Sequence, residues 1–159
     1  MPYFQLDGVG AAFTATHTAA QFKKGTKFNG NDNTVVLYVQ NGSAAMSAGM
    51  VGAVDTALTL HPVTTALAVE GAPIGVVQNA FPSANYGFVF LEGVNLDVRL
   101  GATAGVTDVQ LCIGATAGEL VAQNTAASLT VLEGIRATDV PTAAGGNGKA
   151  NLSCTIHLA

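Results

Sequence analysis

The chain has 159 residues, 49% of them hydrophobic and only 10% charged, with six Lys/Arg against ten Asp/Glu and a net charge of −4. This length fits one domain with a core of its own, and the low charge excludes both charge-solvated disorder and a coiled coil. A modest negative charge leaves no electrostatic footprint for nucleic acid or for an anionic membrane, so neither is expected as a partner.

Residues 1–33 read as an N-terminal arm, distinct from a β domain over 34–159. The arm holds three of the four lysines (Lys23, Lys24 and Lys27) and four spaced phenylalanines (Phe4, Phe13, Phe22 and Phe28). It shows no period-2 pattern. Thr18-Ala-Ala-Gln21 has the form of a capping box, and Gly25 follows Lys23-Lys24 as a stop, which predicts a helix of barely two turns. An arm with spaced aromatics and little structure of its own tends to dock. Phe4, Phe13, Phe22, Phe28, Lys23, Lys24 and Lys27 are therefore the candidate partner contacts. Met1-Pro-Tyr-Phe-Gln5 has neither the basic start nor the apolar run of a secretory signal, so a cytoplasmic site of synthesis is expected.

Asn29-Gly-Asn-Asp-Asn33 is a turn cluster, and strand signals follow it. Over 34–40, Val35, Leu37 and Val39 share one face, while Val36 and Tyr38 share the other. Weaker signals cover 58–63 and 67–70, with Pro62 favouring an edge or a bend. Residues 74–78 form a short apolar run. Tyr86 to Leu91 is apolar on both faces and predicts a central strand, and Gly93 predicts a bulge or bend after it. Val94, Leu96, Val98 and Leu100 then alternate with polar residues, as do Val109, Leu111 and Ile113 (with Cys112 outward), and Leu152, Cys154, Ile156 and Leu158. This recurrent period of two predicts an all-β domain, a small antiparallel barrel or sandwich. Its longest apolar run, Phe88-Val-Phe-Leu91, is far short of the roughly 20 residues of a spanning helix.

Reactive motifs are sparse. Gly148-Lys149 lacks the opening glycine and the hydroxyl of a phosphate loop, and no Gly-x-Ser-x-Gly elbow is present. His17, His61 and His157 are far apart, without metal-ligand spacing. Cys112 and Cys154 are expected as reduced thiols. No catalytic residue, cofactor or metal is expected. Leu91-Glu-Gly-Val94 returns as Leu132-Glu-Gly-Ile135, which suggests equivalent bends in two strands. Glu92 and Glu133 within these repeats are the one carboxylate pair of interest. A small glycoside hydrolase using them is one alternative reading. Another is a β-rich receptor- or glycan-binding module, which needs exposed loop aromatics such as Tyr86.

Several segments between residues 34 and 158 carry a resemblance. These are Ala48-Gly-Met-Val51, Gly71-Ala-Pro-Ile-Gly-Val-Val77, Gly87-Phe-Val-Phe-Leu-Glu-Gly-Val94 and the closing run Lys149-Ala-Asn-Leu-Ser-Cys-Thr-Ile-His-Leu158. With the Ala, Gly, Val and Thr richness, the chain resembles the head decoration (cement) proteins of tailed bacteriophages. That resemblance implies a β-barrel or β-tulip domain, commonly a homotrimer, on the outer surface of the virion. Its partner would be the major capsid protein, and its role to stabilise the capsid without catalysis. The apolar residues on both faces of 86–91, together with Val36 and Tyr38, also suggest surplus apolar surface for oligomer or partner contacts.

Overall fold

The computed structural model describes residues 3–6, 9–30, 33–64, 72–101, 110–122, 131–139 and 146–158, and for 3–6, 9–11 and 153–158 the backbone alone. The fold is all-β. Among the described residues there is no helix, and the strands are β1 (Tyr3–Leu6), β2 (Val9–Ala12), β3 (Thr16–His17), β4 (Lys27–Asn29), β5 (Val35–Asn41), β6 (Val51–Val54), β7 (Thr59–Pro62), β8 (Ile74–Val76), β9 (Tyr86–Arg99), β10 (Gln110–Ile113), β11 (Leu120–Ala122), β12 (Val131–Asp139) and β13 (Asn147–Leu158).

Five of these strands close on themselves. β5 pairs β9, β9 pairs β8, β8 pairs β6 and β6 pairs β7, all antiparallel, and β7 returns to β5 in parallel. Closure removes the open edges a flat sheet would present. The far half of β9 leaves this barrel and joins an antiparallel sheet in the order β9-β13-β12-β10-β11. The parallel pairing of β7 with β5 stops at Leu60, so Pro62 pairs only with Gly52 of β6 and occupies a local edge of the barrel wall, the position expected of a residue without an N–H. The candidate strand at 67–70 lies outside the described residues.

Two cores follow from the alternation along β5 and β9. Leu37, Val39, Val89 and Leu91 enter one cluster, with Leu60, Val54, Val77, Met46 and Phe81. Val36, Tyr38, Phe88 and Phe90 enter the other, with Leu96, Val98, Leu100, Leu111, Ile135 and Leu152. The parity of β6 and β8 identifies the first cluster as the barrel interior. Val51, Ala53, Ile74 and Val76 face the larger core, while Gly52 and Gly75 face inward. A five-stranded barrel is narrow, and the missing side chains of these two glycines leave the volume that Leu60, Val89 and Leu91 fill. A Cβ at Gly75 would lie 2.6 Å from Val89 Cγ2 and 2.7 Å from the Phe90 carbonyl oxygen.

Both faces of β5 and β9 are therefore buried within one chain. This removes the surplus apolar surface expected from the sequence. Val94, 56% exposed, is the only exposed large hydrophobic among the described residues. It also corrects the inward face assigned to residues 94–100. Leu96, Val98 and Leu100 are buried as expected, but Val94 points out. Asn95 has a φ of 53°, and the pairing with β13 shifts register beside Gly93, so the strand changes face at this bend. The matched Leu132-Glu-Gly-Ile135 site behaves in parallel: Gly134 has a φ of 86° and the β12–β13 register shifts between Glu133 and Ile135. Cys112 is a second correction. It is a free thiol with outward parity, yet it is buried, because the strand around it is covered on both faces. Burial pushes this thiol above its ordinary range.

Candidate partner-contact surface

Residues 13–29 run across the outer face of the barrel as a clasp. The expected helix over 18–25 is absent, and the segment consists of bends and turns. Two helical turns are too short to hold themselves in water, and the backbone groups find partners on the barrel instead. Gly25 N donates to Tyr38 O at 2.8 Å, and Tyr38 N donates to Thr26 O at 2.9 Å. Gln21 N donates to the Tyr38 hydroxyl at 3.0 Å, and Asn79 Nδ2 donates to Thr14 O at 2.7 Å. β3 pairs β9 at Gly87 and Tyr86, and β4 pairs β5 from Lys27 to Asn29.

The side chains complete the attachment. Phe13 is 2% exposed and Phe28 4% exposed, both inside the larger core, and Phe22 packs half-buried against it. Phe13 meets Phe88 edge-on at 5.3 Å, Phe22 meets Phe28 at 5.1 Å and Tyr38 at 5.2 Å, and Tyr38 meets Phe88 at 5.1 Å. Such edge-to-face pairs add roughly 0.5–1.5 kcal/mol each beyond the burial itself. Phe13 and Phe28 therefore cannot serve as partner contacts. They stand where the barrel's own aromatic face would otherwise meet water. Phe4 lies on β1, and its side chain is outside the described residues.

The lysines face the other way. Lys23 and Lys27 are exposed, while Lys24 donates from Nζ to Ala57 O at 2.9 Å, fastening the clasp to the turn after β6. No acidic residue occurs between Asp7 and Asp32. Elsewhere cations are tied up: Arg99 Nε meets Glu119 Oε1 at 2.8 Å and Lys149 Nζ meets Asp97 Oδ1 at 2.6 Å. Without the three clasp lysines, the chain has ten acids against three bases, a charge of −7. The clasp is thus a positive ridge on an acidic body.

Glu92 and Glu133 sit on β9 and β12 with β13 between them, and no described hydrogen bond or ion pair joins them. Glu133 is exposed and Glu92 half-buried. Tyr86, the loop aromatic of the glycan-binding alternative, has its ring stacked on Tyr38 at 6.3 Å. Among the described residues, no three His, Cys, Asp or Glu groups gather as metal ligands.

Sequence reasoning missed an Asp–His pair. Asp55 accepts hydrogen bonds from Ala57 N at 2.8 Å and Thr59 N at 2.9 Å, and its other oxygen lies 3.2 Å from His61 Nε2. The Thr59 N–H has the largest influence on the Asp55 carboxyl; it outweighs the opposing push of burial and, with His61 and the Ala57 N–H, holds the group below its ordinary value of 3.8. A depressed folded pKa contributes stability that is present above the unfolded value and is lost as pH falls through the folded one. Asp55→Asn is expected to flatten the stability profile below about pH 4 and to leave its shape near neutrality unchanged, as read by urea midpoints across pH. An unchanged acid limb would contradict this reading.

Comparison with protein-family models, curated proteins and solved structures gives no match for this chain.

Proposed function

We propose that the protein is a structural, non-enzymatic component of a phage virion that binds the outer surface of the major capsid protein and stabilises the shell. The reading rests on the resemblance to head decoration proteins, and the lysine ridge is the observation that carries it to a surface. Lys23 and Lys27 project from a segment fixed to the barrel by its aromatics, so their charges are presented without the ordering cost of a free arm. A rigid barrel with a filled interior suits a part whose task is to add contacts across a lattice. Exposed ion pairs are weak singly, about 0.2–1 kcal/mol each. A homotrimer engaging several capsid sites at once multiplies them.

The test is sedimentation of the purified protein with expanded, undecorated capsids. Saturable co-sedimentation that weakens as salt rises is expected, because exposed charges are screened. Lys23→Glu with Lys27→Glu should reduce retention about tenfold or more, the equivalent of roughly 1.4 kcal/mol. Failure of the intact chain to bind capsids at low salt would remove this reading. Binding that is saturable but indifferent to salt and to the double substitution would move the contact off the clasp.

A further inference from the structure

We infer that β1 and β2 form the trimer interface, three copies of this hairpin closing edge to edge into a small six-stranded barrel. The hairpin is a two-stranded sheet of its own. It pairs Tyr3 with Ala12, Phe4 with Ala11, Gln5 with Gly10 and Leu6 with Val9, and among the described residues no strand of the main sheet pairs with either of its edges. An isolated two-stranded hairpin is marginal in water, and it gains stability from added strands or a packed face. Phe13, buried immediately after β2, fixes where the hairpin leaves the domain.

The register tells which backbone groups face outward. Two residues, Asp7 and Gly8, separate Leu6 from Val9. In a hairpin of that loop length the flanking pair exchanges hydrogen bonds, so Gln5 and Gly10 belong to a pair whose N–H and C=O groups point away from the partner strand. Tyr3 and Ala12 have the same parity. The Ala12 carbonyl does turn outward, where it accepts from Ala15 N at 2.9 Å. Among the described residues, Tyr3 and Gln5 on one edge and Gly10 on the other then present outward backbone groups that no strand pairing takes up.

The occupant that satisfies both edges is the same hairpin on another copy. Rotation about an axis along the strands sets β2 of one copy beside β1 of the next, antiparallel, and the contact is head-to-tail, which makes a ring when the rotation closes. Two hairpins supply four strands and leave edges open, whereas three supply six and close. The strands Tyr3–Leu6 and Val9–Ala12 contain no charged residue and no proline, so copies approach without like-charge repulsion and without the usual edge protection. The register also places Phe4, Leu6, Val9 and Ala11 on one face.

This interface needs no capsid, so its failure and the failure of the capsid reading are separate events. The experiment is sedimentation velocity of the full chain from about 1 to 100 μM, a range that spans micromolar dissociation constants, with Gln5→Pro and Gly10→Pro as variants. Each proline deletes an outward N–H and leaves the hairpin's own bonds in place. A wild-type trimer that becomes a folded monomer in both variants, with the β signal of native circular dichroism retained and a melting temperature no longer dependent on concentration, is the expected result. A wild type that is monomeric or dimeric throughout, or variants that stay trimeric, would overturn the inference. If either proline variant loses its native circular dichroism, Phe4→Asp decides: a folded monomer supports the ring, and a persistent trimer refutes it.

Discussion

Deleting residues 1–28 is expected to unfold the β domain, not to trim an appendage from it. The deletion removes Phe13, Phe22 and Phe28 from the aromatic cluster and uncovers Tyr38, Phe88 and Phe90 on the barrel's outer face. Truncating one buried phenylalanine to alanine costs about 3–5 kcal/mol. Loss of the two fully buried rings is therefore comparable with the whole stability of a typical domain, about 5–15 kcal/mol. Phe13→Ala alone is expected to cost about 3–5 kcal/mol, because Phe13 also fills the space beside Gly30. Equilibrium urea unfolding reads both changes. A truncated chain that kept its cooperative transition, or a Phe13→Ala loss under about 0.5 kcal/mol, would return the segment to the status of an arm.

Gly75→Ala is expected to destabilise the protein by about 1–3 kcal/mol, the range of an overpacked core. The sign is informative. A glycine in a strand normally costs stability, and replacing it with alanine removes backbone entropy from the unfolded chain, worth roughly 0.5–1 kcal/mol in favour of folding. Here the added methyl would meet Val89 Cγ2 at 2.6 Å and the Phe90 carbonyl oxygen at 2.7 Å. The second contact is backbone, held by the pairing of Val76 with Phe90, so no rotamer change relieves it. A rise in urea midpoint at constant slope would show that Gly75 does not face a filled barrel interior.

Much of this architecture was legible because period two survives in a sequence with few charges. Val36 and Tyr38 separate from Leu37 and Val39 in the alternation alone, and they do enter different cores. The Gly93 bend and its twin at Gly134 were visible as a repeated Leu-Glu-Gly. What alternation does not carry is closure. A strand apolar on both faces looks the same whether its second face meets a partner or the inside of a barrel, so Tyr86 to Leu91 suggested surplus surface where a second core exists. Gly52 and Gly75, spaced among β-branched residues on short strands, were the available signal for a narrow interior.

The N-terminal region misled for a different reason. Phe13, Phe22 and Phe28 are spaced without strand period because bends and turns, not a ladder, deliver them to Tyr38 and Phe88. Three lysines beside them suggested one docking surface, but aromatic and cationic residues point in opposite directions. The hairpin at the start was readable: Asp7-Gly8 between Leu6 and Val9 is a strong two-residue turn signal. Its neighbours Gly10, Ala11 and Ala12 diluted the alternation. The Asp55–His61 pair was hidden because its geometry depends on the turn that brings residue 61 back over residue 55.

Native-state hydrogen exchange tests most directly the claim that residues 13–29 complete the domain. The amides of Gly25 and Tyr38 are bonded across the seam between clasp and barrel, to Tyr38 O and Thr26 O. If clasp and barrel form one cooperative unit, both amides exchange only through global unfolding, with the same opening free energy as the strand amides of Val89 and Phe90. Fast exchange at Gly25 and Tyr38, beside full protection at Val89 and Phe90, would show a segment that detaches while the barrel stays folded.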